Sequence, residues 1–168
     1  FRRVLFRSRV VSRYGSGLEG LAKARAMATL AHFLPGSVYV YQGEEFGLED
    51  VLVPAHLRKD PIWLNSGNTQ IGREGSRAPI AWNLAQEQSE DKQSTLNLYR
   101  RLLAARKSDL IWQANISETE VSISGGLLEV KRGSAGRCLV NSSPEVIDVD
   151  LRSEEHTSEL QSHSFISY

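Results

Sequence analysis

Glu44 and Glu45 are adjacent carboxylates, the most obvious acid–base candidates in the chain. A two-carboxylate mechanism needs groups that face each other across the substrate, one donating and one accepting a proton or electron pair. They close a short run expected to be a strand, where successive side chains point to opposite faces. They therefore cannot form that pair together, and hydrogen bonds or ion pairs that shape the end of the strand are the expected role. His32 and His56 have no cysteine or second histidine at ligand spacing, so no metal site is expected from them. The single cysteine, Cys138, excludes an intrachain disulfide framework and fits a reducing, cytoplasmic compartment. Its place in the apolar run Cys-Leu-Val points to a buried structural thiol. Gly15-Ser-Gly17 does not continue as a phosphate-cradling motif. No cofactor is expected.

The elements that position these residues follow from pattern. Leu18 to Leu34 is alanine-rich, with Met27, Leu30 and Leu34 at helical spacing, and predicts a helix stopped by Pro35-Gly36. Ser37-Val-Tyr-Val-Tyr41 predicts a strand buried on both faces, of the kind found in parallel sheets covered by helices. About fifty residues dense in Gly, Pro, Asn and Asp follow, too long for a plain connector. Trp63 and Trp82 argue that this stretch is an ordered loop with local helical turns. Pro61 restricts Asp60 to an extended conformation, so a turn-forming role is favoured there over catalysis. Trp63 is read as packing the loop, with stacking on the ring of a ligand as the alternative.

A second helix is expected over Thr95–Lys107, capped by Ser94 or Asp91, with an apolar stripe of Leu96, Leu98, Tyr99, Leu102 and Leu103. Beyond it, runs at 120–123, 127–131, 137–140 and 146–150, separated by Gly- and Ser-rich turns, predict an antiparallel β module. The order helix, buried strand, long loop, helix and hairpins reads as α/β: the C-terminal portion of a (β/α)8 barrel, from its seventh helix to its eighth, followed by a small antiparallel β-sandwich domain.

The ends read differently. Arg152 to Ser162 fits one frame of a short-read sequencing adapter, continued by His163, Ile166, Ser167 and Tyr168, and Phe1 to Ser8 fits the reverse complement of the same oligonucleotide. Such segments are set aside before fold reasoning. The division is then 1–8 as a non-native head, 9–112 as barrel, 113–151 as β domain and 152–168 as a non-native tail. Setting the ends aside removes four of 20 basic and three of 20 acidic residues, leaving 16 against 17. That balance gives no concentrated basic face for a nucleic-acid or acidic-membrane partner. No apolar stretch approaches the length that spans a bilayer.

Three spaced motifs carry a resemblance. Leu34-Pro-Gly-Ser-Val-Tyr-Val-Tyr-Gln-Gly-Glu-Glu-Phe-Gly47 resembles the eighth barrel strand and its exit in bacterial α-glucosidases of glycoside hydrolase family 13, the α-amylase family. Lys59-Asp-Pro-Ile-Trp63 and Gly72-Arg-Glu-Gly-Ser-Arg-Ala-Pro-Ile-Ala-Trp82 resemble that group's loop before the last barrel helix, and Leu98-Tyr-Arg-Arg-Leu-Leu103 its final helix. The resemblance implies an enzyme that hydrolyses terminal α-linked glucose from oligosaccharides with retention, using two carboxyls about 5 Å apart. It also implies that Arg9 to Gly15 starts just after the Asn-His-Asp motif following strand seven. The nucleophilic aspartate, the glutamic acid/base and the transition-state-stabilising aspartate would then all lie upstream, leaving no catalytic residue in this chain and an inactive fragment.

By the same resemblance Arg77 helps hold the non-reducing-end glucose. A planar fork of donors suits sugar hydroxyls and a partner carboxylate. The alternative is an arginine that only pins the loop, paired with Glu74. Glu74 and Ser76 depart from the family's usual aspartate and frequent cysteine. Rival readings are an isomerase or transglycosylase on the same scaffold, or a non-catalytic α-amylase-like binding module such as the heavy chains of amino-acid transporters. An incomplete barrel would leave Val38, Val40, Leu102 and Leu103 without neighbours, and such a chain is expected to fold poorly or aggregate alone. Oligomeric state is not legible.

Overall fold

The computed structural model describes residues 8–107, 116–133 and 136–149. The expected 112/113 domain boundary and nearly all of both adapter-like ends lie outside these residues. Among these residues five α-helices precede a three-stranded sheet: α1 Val10–Tyr14, α2 Gly17–Phe33, α3 Pro61–Asn65, α4 Asn83–Glu90, α5 Thr95–Arg106, then β1 Thr119–Ser124, β2 Leu127–Arg132 and β3 Arg137–Asn141.

The alanine-rich helix forms as expected, and its small residues explain how closely it is approached. Gly20 sits where a Cβ would lie 2.8 Å from Val11 O and from the Gly15 carbonyl carbon, so only glycine lets α1 cross α2 at this point. Further along, Leu30 is buried with Val130 and Cys138 of the sheet, and Met27, Phe33, Leu34, Leu128 and Val140 pack around them. Cys138 is buried, and burial pushes its thiol up to about 11. That is the inert structural thiol expected of its apolar setting.

The last carbonyls of a helix have no partner within it, and α2 finds partners in two other elements. Arg106 of α5 donates to His32 O at 2.5 Å, to Leu34 O at 2.8 Å and to Gly36 O, while Arg132 of β2 donates to Phe33 O at 2.9 Å. Two cations thus face the negative end of the α2 dipole, tying helices and sheet to one point. At the other end, the Glu49 carboxylate accepts from Gly17 N at 2.6 Å. Helix α5 is capped as expected: Ser94 Oγ accepts from Asn97 N at 3.2 Å. Its Leu98 and Tyr99 are buried, whereas Leu103 is exposed.

Three expectations are corrected. Ser37–Tyr41 is not a strand; it runs without regular structure and Tyr39 is 81% exposed. An isolated extended segment cannot satisfy its backbone without a neighbouring strand, and among the described residues it has no parallel partner. Among the described residues the β module is one antiparallel sheet of order β1-β2-β3, and the second layer of the expected sandwich is not seen. The fourth run also fails to form a strand over 146–149. After β3, Ser142 donates from both N and Oγ to Gly126 O, and Asn141 bonds Ser143 and Glu145, so the chain folds over the β1–β2 turn instead of pairing. Of the four residues expected to lie open, Val40 and Leu103 are exposed while Val38 and Leu102 are half-buried; Val121 and Ile123 of β1 are exposed as well.

His32 carries a pH dependence. It is buried edge-on to Tyr99, with ring centroids 5.6 Å apart, and its Nδ1 bonds Ala28 O at 2.8 Å while Nε2 finds no partner among the described residues. Burial pulls its pKa below the ordinary histidine value; the nearby Arg106 charge acts in the same sense, and the Ala28 bond opposes it. The unfolded chain therefore binds a proton that the fold resists, so this contribution to stability is complete above about pH 6.5 and declines as pH falls toward the lowered value. Urea midpoints measured from pH 7.5 to 5 are expected to fall for the native chain, and the slope to flatten in His32→Leu. An unchanged slope in the variant would place the titrating group elsewhere.

Candidate functional site

The long loop is built by two carboxylates that cross-link its halves. Asp60, held extended before Pro61, caps α3 by accepting from Ile62 N at 2.9 Å. Its other oxygen accepts from Arg73 N at 3.1 Å and lies 3.8 Å from Arg73 Nε. Its side chain is only 1% exposed. The Ile62 hydrogen bond, followed by those of Arg73 and the charges of Arg73 and Arg77, holds its carboxyl below the usual range despite burial. Glu74 reaches the opposite way: one oxygen accepts from Lys59 N at 2.8 Å and from Asp60 N, and the Asp60 bond is the main cause of its lowered pKa. The longer side chain at this position is what spans the gap to residues 59 and 60.

Between the two strands of this clasp the backbone is tight. Gly72 packs on Asp60, where a Cβ would lie 2.3 Å from Asp60 Cβ, and Gly75 packs on Val51, where a Cβ would lie 2.4 Å from the carbonyl oxygen. Val51 N donates back to Gly75 O at 3.2 Å. Ser76 is buried, its Oγ donating to Arg73 O at 3.0 Å. A single 3₁₀ turn, Gly75–Arg77, ends the segment.

Arg77 is fixed through its backbone, N to Glu74 O at 3.1 Å, while its side chain is exposed and makes no hydrogen bond or ion pair among the described residues. The expected alternative of an ion pair with Glu74 is not formed: one Glu74 oxygen accepts from backbone N–H groups and the other is buried beside Gly72. Trp63 is half-buried, with the Arg58 guanidinium 4.4 Å from its ring centre, so a cation already covers one face of the ring. Trp82, expected to help pack the loop, is 77% exposed.

Glu44 and Glu45 lie in a turn over 42–47, not at the end of a strand, so the alternation argument does not apply to them. They are nonetheless occupied locally: Glu44 accepts from Tyr41 N at 3.2 Å and Glu45 from Gly43 N at 2.8 Å. Desolvation raises the Glu44 pKa. His56 is exposed on a 3₁₀ turn and His32 is buried far along α2, so the structure does not bring the two together at this loop. Among the described residues no group of three His, Cys, Asp or Glu side chains is placed to hold a metal, and no helix is long and apolar enough to cross a membrane.

The residue that pattern reading missed is Arg9. It is 1% exposed and donates from Nε to Gln42 O at 3.4 Å, from Nη1 to Glu49 O at 2.6 Å and from Nη2 to Ala78 O at 3.2 Å. Its own N donates to Asp50 Oδ1 at 2.9 Å. The partners lie 33 to 69 residues away, so no local signal marks it.

With this geometry in place, family membership is clear. The family described as "Alpha amylase, catalytic domain" matches residues 7–114, and the chain belongs to the α-amylase family. Among its relatives is a probable alpha-glucosidase of Rhizobium meliloti (strain 1021), 28% identical over 187 residues covering 95% of this chain and 33% of that protein. An oligo-1,6-glucosidase of Bacillus cereus is 46% identical over 94 residues, 45% of this chain and 17% of that one. The chain thus spans a third or less of the length of these relatives. Of the solved structures, the alpha-glucosyl transfer enzyme XgtA superposes with a TM-score of 0.61 at 24% identity, over 74% of this chain and 28% of that one. Trehalose-6-phosphate hydrolase of Bacillus licheniformis gives 0.56 at 24%, over 75% and 30%. At that identity the likeness is one of fold.

Because Gly75 touches Val51 O, Gly75→Ala must displace one strand of the loop. Tryptic cleavage after Arg73 or Arg77 is expected to speed up several-fold in that variant. Cleavage at the native rate would show that the close approach does not set the loop.

Proposed function

We propose that the chain is a segment of a retaining α-glucosidase, in which it supplies the grip on the terminal glucose and none of the carboxyl chemistry. The observation that carries this reading is Arg77: a guanidinium whose donors make no hydrogen bond among the described residues, though its charge is felt by the buried Asp60 carboxylate, on a loop whose backbone is fastened on both sides. A donor held ready without spending its hydrogen bonds inside the protein is preorganised for a ligand, and the planar fork matches adjacent sugar hydroxyls or a hydroxyl and a carboxylate. The names of the relatives, probable alpha-glucosidase and oligo-1,6-glucosidase, support an α-glucoside as substrate.

In the proposed reaction, a carboxylate from elsewhere in the full-length enzyme attacks the anomeric carbon. The glycosidic bond to the leaving oxygen breaks as a carboxylic acid protonates that oxygen, and water then releases the glucosyl group. Glu44 and Glu45 take no part, since both are committed to the turn that follows Tyr41. Ser37–Tyr41 takes up its place as the eighth barrel strand only in the full-length enzyme; its strand-like composition and the exposure of Tyr39 support that placement. The β sheet is then the start of the domain that follows the barrel.

Two outcomes are expected. The 168-residue chain shows no turnover of an aryl α-glucoside above a mock preparation, and turnover would refute the assignment of the chemistry to other residues. In the full-length enzyme that carries this segment, Arg77→Ala lowers kcat/KM about 10- to 100-fold, the equivalent of one charge-assisted hydrogen bond of about 1.5–3 kcal/mol. Its thermal midpoint is expected to stay put, because the side chain is exposed. Unchanged kcat/KM would reduce Arg77 to a surface arginine.

A further inference from the structure

Arg9 is too costly a residue to be read as filling. A guanidinium at 1% exposure has lost its water, and among the described residues it recovers hydrogen bonds from three backbone carbonyls on two segments: Gln42 at the start of the 42–47 turn and Glu49 just beyond it, and Ala78 next to Arg77. A carbonyl cannot be exchanged by mutation or rotated to another partner without moving its peptide. Three of them converging on one rigid fork therefore fix the relative positions of the turn and the loop to within hydrogen-bond tolerance. The side opposite Ala78 is held by other means: Gly75 against Val51 and Glu74 on residues 59 and 60. Arg77 stands between the two anchorages.

We propose that Arg9 is the positioning residue for Arg77. It acts through the Ala78 carbonyl to set where the exposed guanidinium meets the terminal glucose, and it never touches the sugar itself. The proposal rests on the reading of Arg77 as the glucose contact. Lysine cannot substitute, because a single ammonium on a flexible stem cannot reach three carbonyls in a fixed fork.

The test is a double-mutant cycle in the full-length enzyme, with Arg9→Lys, Arg77→Lys and the pair together, reading kcat and KM on an aryl α-glucoside well below each thermal midpoint. The expected result is that Arg9→Lys raises KM at least fivefold in folded, active-site-titrated enzyme. The pair is then no worse than Arg77→Lys alone, since a misplaced and a shortened contact are the same loss. If instead the two effects multiply, or Arg9→Lys lowers only the folded fraction and leaves KM native, Arg9 is a stability residue and the proposal falls while the reading of Arg77 stands. If Arg77→Lys itself leaves KM native, the glucose contact is wrong and both fall. Should Arg9→Lys not accumulate in soluble form, Arg9→Gln, which keeps a planar two-donor head, takes its place in the cycle. Failure of both variants to fold would also assign Arg9 to stability alone.

Discussion

A single desolvated cation, Arg9, ties the turn over 42–47 to the loop that carries Arg77. Burying an unpaired guanidinium costs several kcal/mol, and three charge-assisted hydrogen bonds of about 1.5–3 kcal/mol each are of the size needed to offset it. Removing any one carbonyl would tip that balance, so the segments bearing Gln42, Glu49 and Ala78 are held together or released together. Glu49 extends the same constraint to α2, because its carboxylate accepts from the first residue of that helix while its carbonyl accepts from Arg9. The position of the loop is thereby referred to the longest helix in the chain.

That helix is referred in turn to the sheet. Its C-terminal carbonyls are taken up by Arg106 and Arg132, one from α5 and one from β2, and its Leu30 is buried with Val130 and Cys138. The same device recurs at both places: an arginine spends its donors on backbone carbonyls, so position is fixed by main chain and not by side-chain pairs. Arg77 is the exception, an arginine whose donors have no partner among the described residues. Contrast with its engaged neighbours, more than its exposure alone, is what supports the proposed role for it.

Local pattern carried the helices well. The alanine run ending at Pro35-Gly36 and the stripe beginning at Ser94 became α2 and α5 nearly as expected, because propensity, capping and burial agree there. The eighth strand and the sandwich were not legible in the same way. Ser37–Tyr41 has the composition of a buried strand, but a strand is a property of a pair, and composition says nothing about whether the partner is present. Over 146–149, hydrophobic alternation was outweighed by Asn141 and Ser142, whose side chains offered the backbone a turn. At the site, Arg77 was found through motif resemblance, and the structure adds that it is free of Glu74. Arg9 and the Asp60–Glu74 clasp were invisible because their partners are backbone groups, which every residue carries alike.

The division of labour follows from these placements. The carboxylates of Asp60, Glu74, Glu44 and Glu45 each accept from backbone N–H groups, so their charge serves the shape of the loop. The account is tested most directly by a crystal structure of the full-length enzyme with glucose bound. It predicts the Arg77 guanidinium within hydrogen-bond distance of a hydroxyl on the terminal ring, with Arg9 still donating to the carbonyls of residues 42, 49 and 78. Glucose seated with Arg77 turned to solvent, or seated against Glu44 or Glu45, would contradict it.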